Sequence, residues 1–182
     1  MNTYIALLRG INVAGKKKIL MAELRELLSQ NKFENVQTYI QSGNVVFNHP
    51  SNQPEKLSLL IEQVISSHYG FDVPTLVLLP QEIKKAIKQN PFITHLEIEE
   101  SQTYFTFLKS LPNQENIDDF NTCNYPNETF IIKEKVVYYY CSTGYGKAKL
   151  TNKVMENKLN TRATTRNYKT TLKLISMSEN CF

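Results

Sequence analysis

The sequence is poor in the residues that build metal centres and disulfide frameworks. Its 182 residues include three cysteines, three histidines and no tryptophan. An odd number of cysteines without C-x-x-C spacing speaks against disulfides or a cysteine zinc site and predicts reduced thiols. The histidines lie far apart, and none has a second ligand at helical spacing, so we expect no metal site and no cofactor. The residues concerned are Cys123, Cys141, Cys181, His49, His68 and His95.

Long apolar runs are also missing. No stretch approaches the ~20 apolar residues that cross a bilayer, and the N-terminus lacks the regions of a signal peptide. We therefore expect a cytoplasmic protein without a membrane partner. Its length fits one large domain or two small ones that share a core.

Charge is mildly positive and unevenly distributed. The net charge is +4 and the sequence pI is near 8.8, below the value above ~9 that is typical of a nucleic-acid-binding domain. Lys16–Lys18 form one basic cluster. The segment from Lys147 to Lys173 carries many cations against one acid, Glu156. This asymmetry predicts one positive surface and one negative surface.

The first strand organises the sequence. Tyr4–Leu8 is an apolar run that stops at Arg9 and is followed by Gly10. Such a run is typical of a strand buried on both faces. A buried strand that ends at an arginine places positive charge at one edge of a sheet. Arginine is rarely buried without a partner, so Arg9 is expected to meet a carboxylate, backbone carbonyls or a ligand.

The pattern of helices and strands then repeats. Helices are predicted at Met21–Phe33 and Pro54–Tyr69, a hairpin at Val36–Phe47 and a strand at Val73–Leu79. This βαββαβ order is ferredoxin-like. Later segments repeat it, with strands at Thr103–Lys109, Thr129–Ile132, Val136–Cys141 and Ala163–Arg166, and helices at Asn113–Phe120, Ala148–Leu159 and Tyr168–Met177.

The predicted fold is therefore α+β, with two ferredoxin-like halves, antiparallel sheets, and connecting and C-terminal helices. The first half is expected at residues 1–80 and the second, with its closing helix, at 103–182. A connecting helix and linker are predicted at 81–102.

Several strings resemble a known family. They are the LRGINV string at residues 8–13, the YIQSGNVVF string at 39–47 and the ATTRN string at 163–167. Together they resemble domain-of-unknown-function family 1697, across essentially the whole chain. The resemblance implies a small bacterial cytoplasmic protein with a two-part ferredoxin-related fold and implies no activity. One departure is Tyr168, where the family usually has tryptophan.

The segment Gly10–Lys17 narrowly misses a phosphate-loop motif. Lys17 stands where G-x-x-x-x-G-K-[ST] needs a hydroxyl for Mg²⁺, and an antiparallel sheet is the wrong context. Glycine-flanked amides followed by three lysines can still bind a phosphate or carboxylate. In the alternative, Ile11 and Val13 point inward and the lysines form a solvated turn.

The favoured function is binding of a small anionic or phosphate-bearing ligand at a basic, glycine-rich site. Arg9 and Arg166 would be charge clamps, Ser42 and Asn44 would orient the ligand, and Tyr145 would stack or act as a lid. The full predicted set is Arg9, Asn12, Lys16, Ser42, Asn44, Tyr145, Lys147 and Arg166. The polar residues have another interpretation, in which Ser42–Asn44 form a hairpin turn and Asn167 caps a helix.

Other functions stay open. A second basic loop, Thr143–Lys149, is predicted to enter a helix and offers another anion site. The basic C-terminal segment favours a nucleic-acid-binding module as an alternative. A protein-interaction module and an enzyme without a linear catalytic motif are further alternatives, since no nucleophile elbow or Cys-His pair is present.

Overall fold

The chain forms two compact units. The structure, a computed structural model, describes residues 1–93 and 100–181. One unit contains Met1–Lys84 together with the C-terminal residues from Lys173, and the other contains Lys85–Leu172. Residues 94–99 of the predicted linker, His95 among them, lie outside the described residues. The limits 1–80, 81–102 and 103–182 stay a prediction.

The first unit is built on a four-stranded antiparallel sheet. Its strands are β1 (Asn2–Leu8), β2 (Glu34–Tyr39), β3 (Asn44–His49) and β4 (Thr75–Leu78), in the order β2-β3-β1-β4. This is the order of a ferredoxin-like sheet, and every neighbouring pair is antiparallel. Tyr4–Leu8 is buried throughout, which confirms the predicted doubly buried strand.

Two helices cover one face of this sheet. They are α1 (Met21–Gln30) and α2 (Pro54–Tyr69). Their apolar stripes pack with alternate residues of β1 and β3 into one core. The stripes are formed by Met21, Leu24 and Leu28 on α1 and by Leu57, Ile61 and Ile65 on α2, and the strands contribute Tyr4, Ala6, Leu8, Val45 and Phe47.

The second unit repeats the sheet. Its strands are β5 (Thr103–Leu108), β6 (Glu128–Lys133), β7 (Val136–Cys141) and β8 (Ala163–Asn167), in the order β6-β7-β5-β8. All paired strands are antiparallel. The two halves therefore share one topology, which confirms the predicted pair of ferredoxin-like halves.

The helices α3 to α6 agree with the predicted helices to within two residues except at one boundary. They are α3 (Pro80–Lys88), α4 (Gln114–Asn121), α5 (Asn152–Leu159) and α6 (Tyr168–Glu179). The prediction started α5 at Ala148, four residues too early. The chain instead makes a short 3₁₀ turn at Tyr145–Lys147, and the Thr151 hydroxyl caps α5 by accepting from the Val154 amide.

The cysteines are all free thiols, in agreement with the sequence. Cys141 lies in the core of the second unit. The Cys181 thiol donates to Asn48 Oδ1 at 3.1 Å, and burial raises its pKa. This contact fixes the C-terminal residues of the first unit to its sheet.

Substitution of Gly43 tests the close packing in the first unit. Its φ is +76°, and an added Cβ would lie 2.6 Å from Leu8 Cβ and 2.9 Å from Ile11 Cδ1. Gly43→Ala should lower the free energy of unfolding by about 2–4 kcal/mol, because backbone strain and overpacking add. Gly10→Ala is the matched control, since Gly10 has φ +73° in open space, and should cost about 1 kcal/mol. Equal losses in urea denaturation would show that the close packing at Gly43 contributes nothing.

His49 predicts an acid-dependent loss of stability. Its Nδ1 accepts from the Ser51 amide at 3.0 Å, which requires the neutral ring, and burial lowers its pKa against the smaller opposing effect of Glu34. The unfolded chain therefore binds this proton first, so the stability that His49 contributes is present above pH ~6.5 and is lost as pH falls through its folded pKa.

The measurement is the free energy of unfolding between pH 5 and 8. His49→Asn, which keeps an acceptor but does not titrate, should flatten the acid side of this profile. His68→Asn is the control. An unchanged profile in His49→Asn would contradict the assignment.

Candidate functional site

Three chain segments meet at one edge of the first sheet. Because β1 is antiparallel to both neighbours, its end lies beside the starts of β3 and β4, with Leu7 opposite Asn44. The Leu8 amide donates to the Gly43 carbonyl at 2.8 Å, and the Arg9 amide donates to the Pro74 carbonyl at 2.9 Å. The antiparallel topology thus places the loop after β1 against the β2–β3 turn.

The side chain of Asn12 fastens these segments together. Its Nδ2 donates to the carbonyls of Ile19 and Gln41 at 2.9 and 2.8 Å. Its Oδ1 accepts from the Ile19 amide at 2.9 Å. Asn12 has φ +55°, a conformation that asparagine tolerates better than most residues. The side-chain amide of Asn12 therefore joins both ends of the loop to the turn.

The loop between these ties is a small hairpin. Val13 pairs with Lys16 in an antiparallel bridge, and the backbone amide of Asn12 donates to the Lys17 carbonyl at 3.2 Å. Ala14 and Gly15 both have positive φ, +49° and +74°, as in type I′ turns. A left-handed alanine is strained, so this conformation costs energy that the surrounding contacts must supply.

The structure contradicts part of the alternative in which both Ile11 and Val13 point inward. Ile11 is buried as that alternative expected, but Val13 is 62 % exposed. The physical reason is the turn at Ala14 and Gly15, which pairs Val13 with Lys16 outside the core.

The three lysines of this hairpin differ in their contacts. The Lys17 ammonium donates to the Asp72 carbonyl and lies 6.0 Å from the centre of the Phe71 ring, which anchors the hairpin. The side chains of Lys16 and Lys18 are exposed and make no hydrogen bond or ion pair with any residue in the described ranges. They therefore present two positive charges on a fixed backbone.

The hairpin leads directly into the start of α1. Leu20 occupies the N-cap position and provides no side-chain hydrogen bond. By contrast, Asn113 caps α4 and Thr151 caps α5 with side-chain oxygens. The first amides of α1 thus receive no hydrogen-bond acceptor from the N-cap side chain. They lie close in sequence to Lys16 and Lys18, and helix N-termini favour anions.

Ser42 and Asn44 lie at the turn between β2 and β3, as the hairpin-turn interpretation expected. Asn44 is fully buried, and its Nδ2 donates to the Tyr39 carbonyl at 3.1 Å and to Ser42 Oγ at 2.9 Å. In the same way, Asn167 caps α6 by accepting from the Thr170 amide at 2.7 Å. Both observations confirm the turn and capping chemistry of these residues.

The second basic loop already holds an anion of its own chain. The two carboxylate oxygens of Glu128 accept from the Lys149 and Leu150 amides at 2.7 and 2.9 Å. The Tyr139 hydroxyl donates to the same carboxylate at 2.7 Å. Burial, followed by this carboxylate and nearby Cys141, raises the pKa of Tyr139. The Lys149 and Leu150 amides therefore already bind the carboxylate of Glu128.

Arg166, Tyr145 and Lys147 belong to the second unit. Arg166 is 9 % exposed, and its Nη1 donates to the Thr165 carbonyl at 2.9 Å. Burial lowers the pKa of Arg166 to about 10 and Tyr145 acts in the opposite direction, so the guanidinium is charged at neutral pH. The Tyr145 backbone amide donates to the Tyr104 hydroxyl at 3.2 Å, and the two rings lie 5.2 Å apart between centroids. Lys147 is exposed.

The predicted site residues thus fall into two groups. Five lie at the edge of the first sheet, namely Arg9, Asn12, Lys16, Ser42 and Asn44, and three lie in the second unit. Their role in ligand binding stays a prediction. The sequence reasoning missed Leu20 as an N-cap without an acceptor, although its apolar side chain before a helical stripe was a visible signal. It also missed Glu128, for which local sequence gives no signal.

Two further searches cover the described part of the chain. No group of three or more His, Cys, Asp or Glu side chains is placed there to hold a metal ion. Nor does this part contain a helix with the length and apolar character needed to cross a membrane.

Comparison with known proteins identifies the family. The model described as "Protein of unknown function (DUF1697)" matches residues 1–138, well over half of the chain. The chain belongs to the DUF1697 family. This confirms the family predicted from the sequence. The family description carries no activity.

A solved structure extends the DUF1697 comparison to the whole chain. The protein is similar to the conserved bacterial protein SP0830 from Streptococcus pneumoniae, with 26 % sequence identity and a TM-score of 0.76. The similarity covers 97 % of this chain and 98 % of that chain. No curated protein matches the chain.

Asn12 gives a direct test of the fastening. Asn12→Leu should lower the free energy of unfolding by about 2–5 kcal/mol, because three hydrogen bonds worth about 0.5–1.5 kcal/mol each are lost and leucine is strained at positive φ. The measurement is urea denaturation. Gln41→Ala is the control, since Asn12 binds only the backbone carbonyl of Gln41. Equal stability of Asn12→Leu and the parent protein would contradict the fastening role.

Proposed function

We propose that this DUF1697 protein binds a small anionic ligand, such as a phosphate-bearing metabolite, at the edge of its first sheet. The observation that carries the proposal is an anchored lysine hairpin that leads into an α-helix start without a side-chain cap. The ligand would lie between the Lys16 and Lys18 ammonium groups and the first amides of α1.

Rigidity supports binding at this place rather than a solvated turn. Binding to an already ordered loop avoids the entropic cost of ordering that loop. Asn12 and Lys17 fix the hairpin from two sides. Ala14 holds a costly backbone conformation, and such strain is concentrated at functional segments.

The other predicted residues receive distinct roles in the proposal. Arg9, which follows β1 at the same edge, would contribute fixed charge, and the exposed Ser42 would contribute a hydroxyl. Asn12 and Asn44 would position the loops. Tyr145, Lys147 and Arg166 lie in the second unit; their role stays a prediction from the sequence and is no part of the site proposed here.

The test compares two double variants. Lys16→Gln with Lys18→Gln should weaken binding of inorganic phosphate or pyrophosphate by about 10- to 25-fold, since each exposed charge contributes up to about 1 kcal/mol. Lys147→Gln with Lys149→Gln is the matched control on the loop that Glu128 already fills and should leave the dissociation constant unchanged. Isothermal titration calorimetry measures both.

Two results would contradict the proposal. The first is no binding of either anion to the parent protein at millimolar concentration. The second is a loss confined to the Lys147 and Lys149 double variant, which would move the site to the second unit.

Nucleic-acid binding is a second candidate, favoured by the exposed cations of the basic C-terminal segment. Within the second unit these are Lys147, Lys149, Lys153, Lys158, Arg162 and Lys169. Binding of an oligonucleotide would then weaken steeply with salt, because each neutralised phosphate releases counterions. A salt-independent affinity would argue against this function.

A further inference from the structure

The first unit includes residues from both ends of the chain. It contains Met1–Lys84 and then the residues from Lys173 onward, which follow the second unit in sequence. The last described residues, 178–181, are here named the C-terminal tip. They comprise the end of α6 and the two residues after it. Terminal residues stay ordered only where specific contacts hold them, so the contacts of the tip show what its docking achieves.

The strand β2 is irregular at its start. Between the pairs Glu34–Asn48 and Gln37–Val46, β2 advances from residue 34 to 37 while β3 advances only from 48 to 46. The extra residue on β2 makes this a β-bulge, at which the ladder of backbone hydrogen bonds is interrupted. Asn35 lies in the bulge with φ +50°. The first residues of β2 therefore lack a regular ladder.

Cys181 of the tip lies directly at this bulge. Its thiol is 3.4 Å from the Asn35 carbonyl oxygen and 3.1 Å from Asn48 Oδ1 on β3. The Asn35 side chain donates to the same Oδ1 at 3.1 Å, and Asn48 donates to Thr3 Oγ1 on β1 at 3.0 Å. Cys181 and Asn48 are 1 and 5 % exposed. The tip thus joins a polar network that spans three strands where the β2–β3 ladder is interrupted.

The polar contacts of the tip are individually weak. A thiol is a weak hydrogen-bond donor. Glu179 pairs with Lys84 at 2.8 Å, but the two side chains are 56 and 48 % exposed, and ion pairs of that exposure contribute little. The Ser178 hydroxyl bonds within its own segment, to the Ile175 carbonyl at 2.7 Å. Release of the tip should therefore cost far less free energy than unfolding of the unit.

We infer that the C-terminal tip is a latch on the first sheet, which closes the start of β2 when Cys181 docks and opens it when the tip is released. The docked thiol supplies a hydrogen-bond donor at Asn35 and Asn48. The pairs of β1 with β3 and β4 do not depend on the latch, since continuous ladders hold them. The first sheet is consequently completed only after the last residues of the chain are made. This inference is independent of the proposed anion site.

Labelling of the native thiols tests whether the tip opens by itself. Iodoacetamide reaches Cys181 only when the tip is released, because the docked thiol is buried. Cys141 lies in the core of the second unit and reports deep opening, and Cys123 is partly exposed and reports direct access. At low urea concentrations the labelling rate of Cys181 should stay nearly constant, since a local opening exposes little surface, and that of Cys141 should rise steeply.

Two labelling results would overturn the latch. A Cys181 rate that rises with urea as steeply as the Cys141 rate means that the tip opens only with general unfolding. A Cys181 rate equal to that of Cys123 means that the tip is not docked. Both measurements use the parent protein, so they decide the opening even where a variant fails to fold.

Amide hydrogen exchange tests whether the latch closes β2. Cys181→Ala should speed exchange of the amides at residues 34–37 about 10-fold, the equivalent of one or two ordinary hydrogen bonds. The amides of Ile5 and Val46, which pair in the centre of the sheet, should keep their rates. Cys181→Ser retains a donor and should restore most of the protection. Cys123→Ala is the matched control in the second unit and should change none of these rates.

Each other outcome of the exchange experiment overturns a defined statement. Equal acceleration over the whole first unit in Cys181→Ala would show general destabilisation in place of a latch. Unchanged exchange at residues 34–37 would show that the tip docks without closing β2. Failure of Cys181→Ser to restore protection would overturn the hydrogen-bond basis of the latch.

Discussion

The side-chain amide of Asn12 is the contact on which the candidate site depends. One amide group joins both ends of the lysine hairpin to the β2–β3 turn through the Ile19 and Gln41 backbones. Without it, the hairpin would keep only its internal bridge and the contact of Lys17 with the Asp72 carbonyl. With it, Lys16 and Lys18 stand on a hairpin that is joined to the sheet through Asn12. The antiparallel order of the sheet makes this possible, because it brings the turn beside the end of β1.

The two basic loops of the described chain differ in the acceptors that their amides find. A loop that presents several amides needs an acceptor for them. In the second unit, Glu128 supplies a carboxylate from the adjoining β6, and Tyr139 completes its hydrogen bonds. In the first unit, the N-cap position of α1 is Leu20, which supplies no side-chain acceptor. This difference is the physical reason to place an external anion in the first unit.

The fold was largely predictable because its strands and helices carry clear periodicity. The doubly buried β1 and both hairpins follow from apolar runs and turn residues, and the repeated βαββαβ order follows from them. The start of α5 was not predictable from periodicity, since Thr151 sets it through one hydrogen bond to Val154. Resemblance to DUF1697 supported the fold and contributed nothing about chemistry.

The candidate site was less predictable because it depends on contacts between distant residues. The lysines and the polar turn residues were visible in the sequence. The fastening of Asn12 to Gln41, the exposure of Val13 and the occupation of the second loop by Glu128 all require the folded chain. Local sequence cannot show that the side chain of Asn12 or Asn44 forms its hydrogen bonds within the loop and turn.

The most direct test of the anion site is a titration of ¹⁵N-labelled protein with inorganic phosphate, followed by two-dimensional NMR. The account predicts that the largest amide shifts fall on Lys16 and Lys18 and on the first turn of α1, with saturation at one common affinity. It also predicts small shifts at Lys149 and Leu150, whose amides are held by Glu128. Shifts concentrated at those two residues, or spread evenly over exposed lysines, would contradict it.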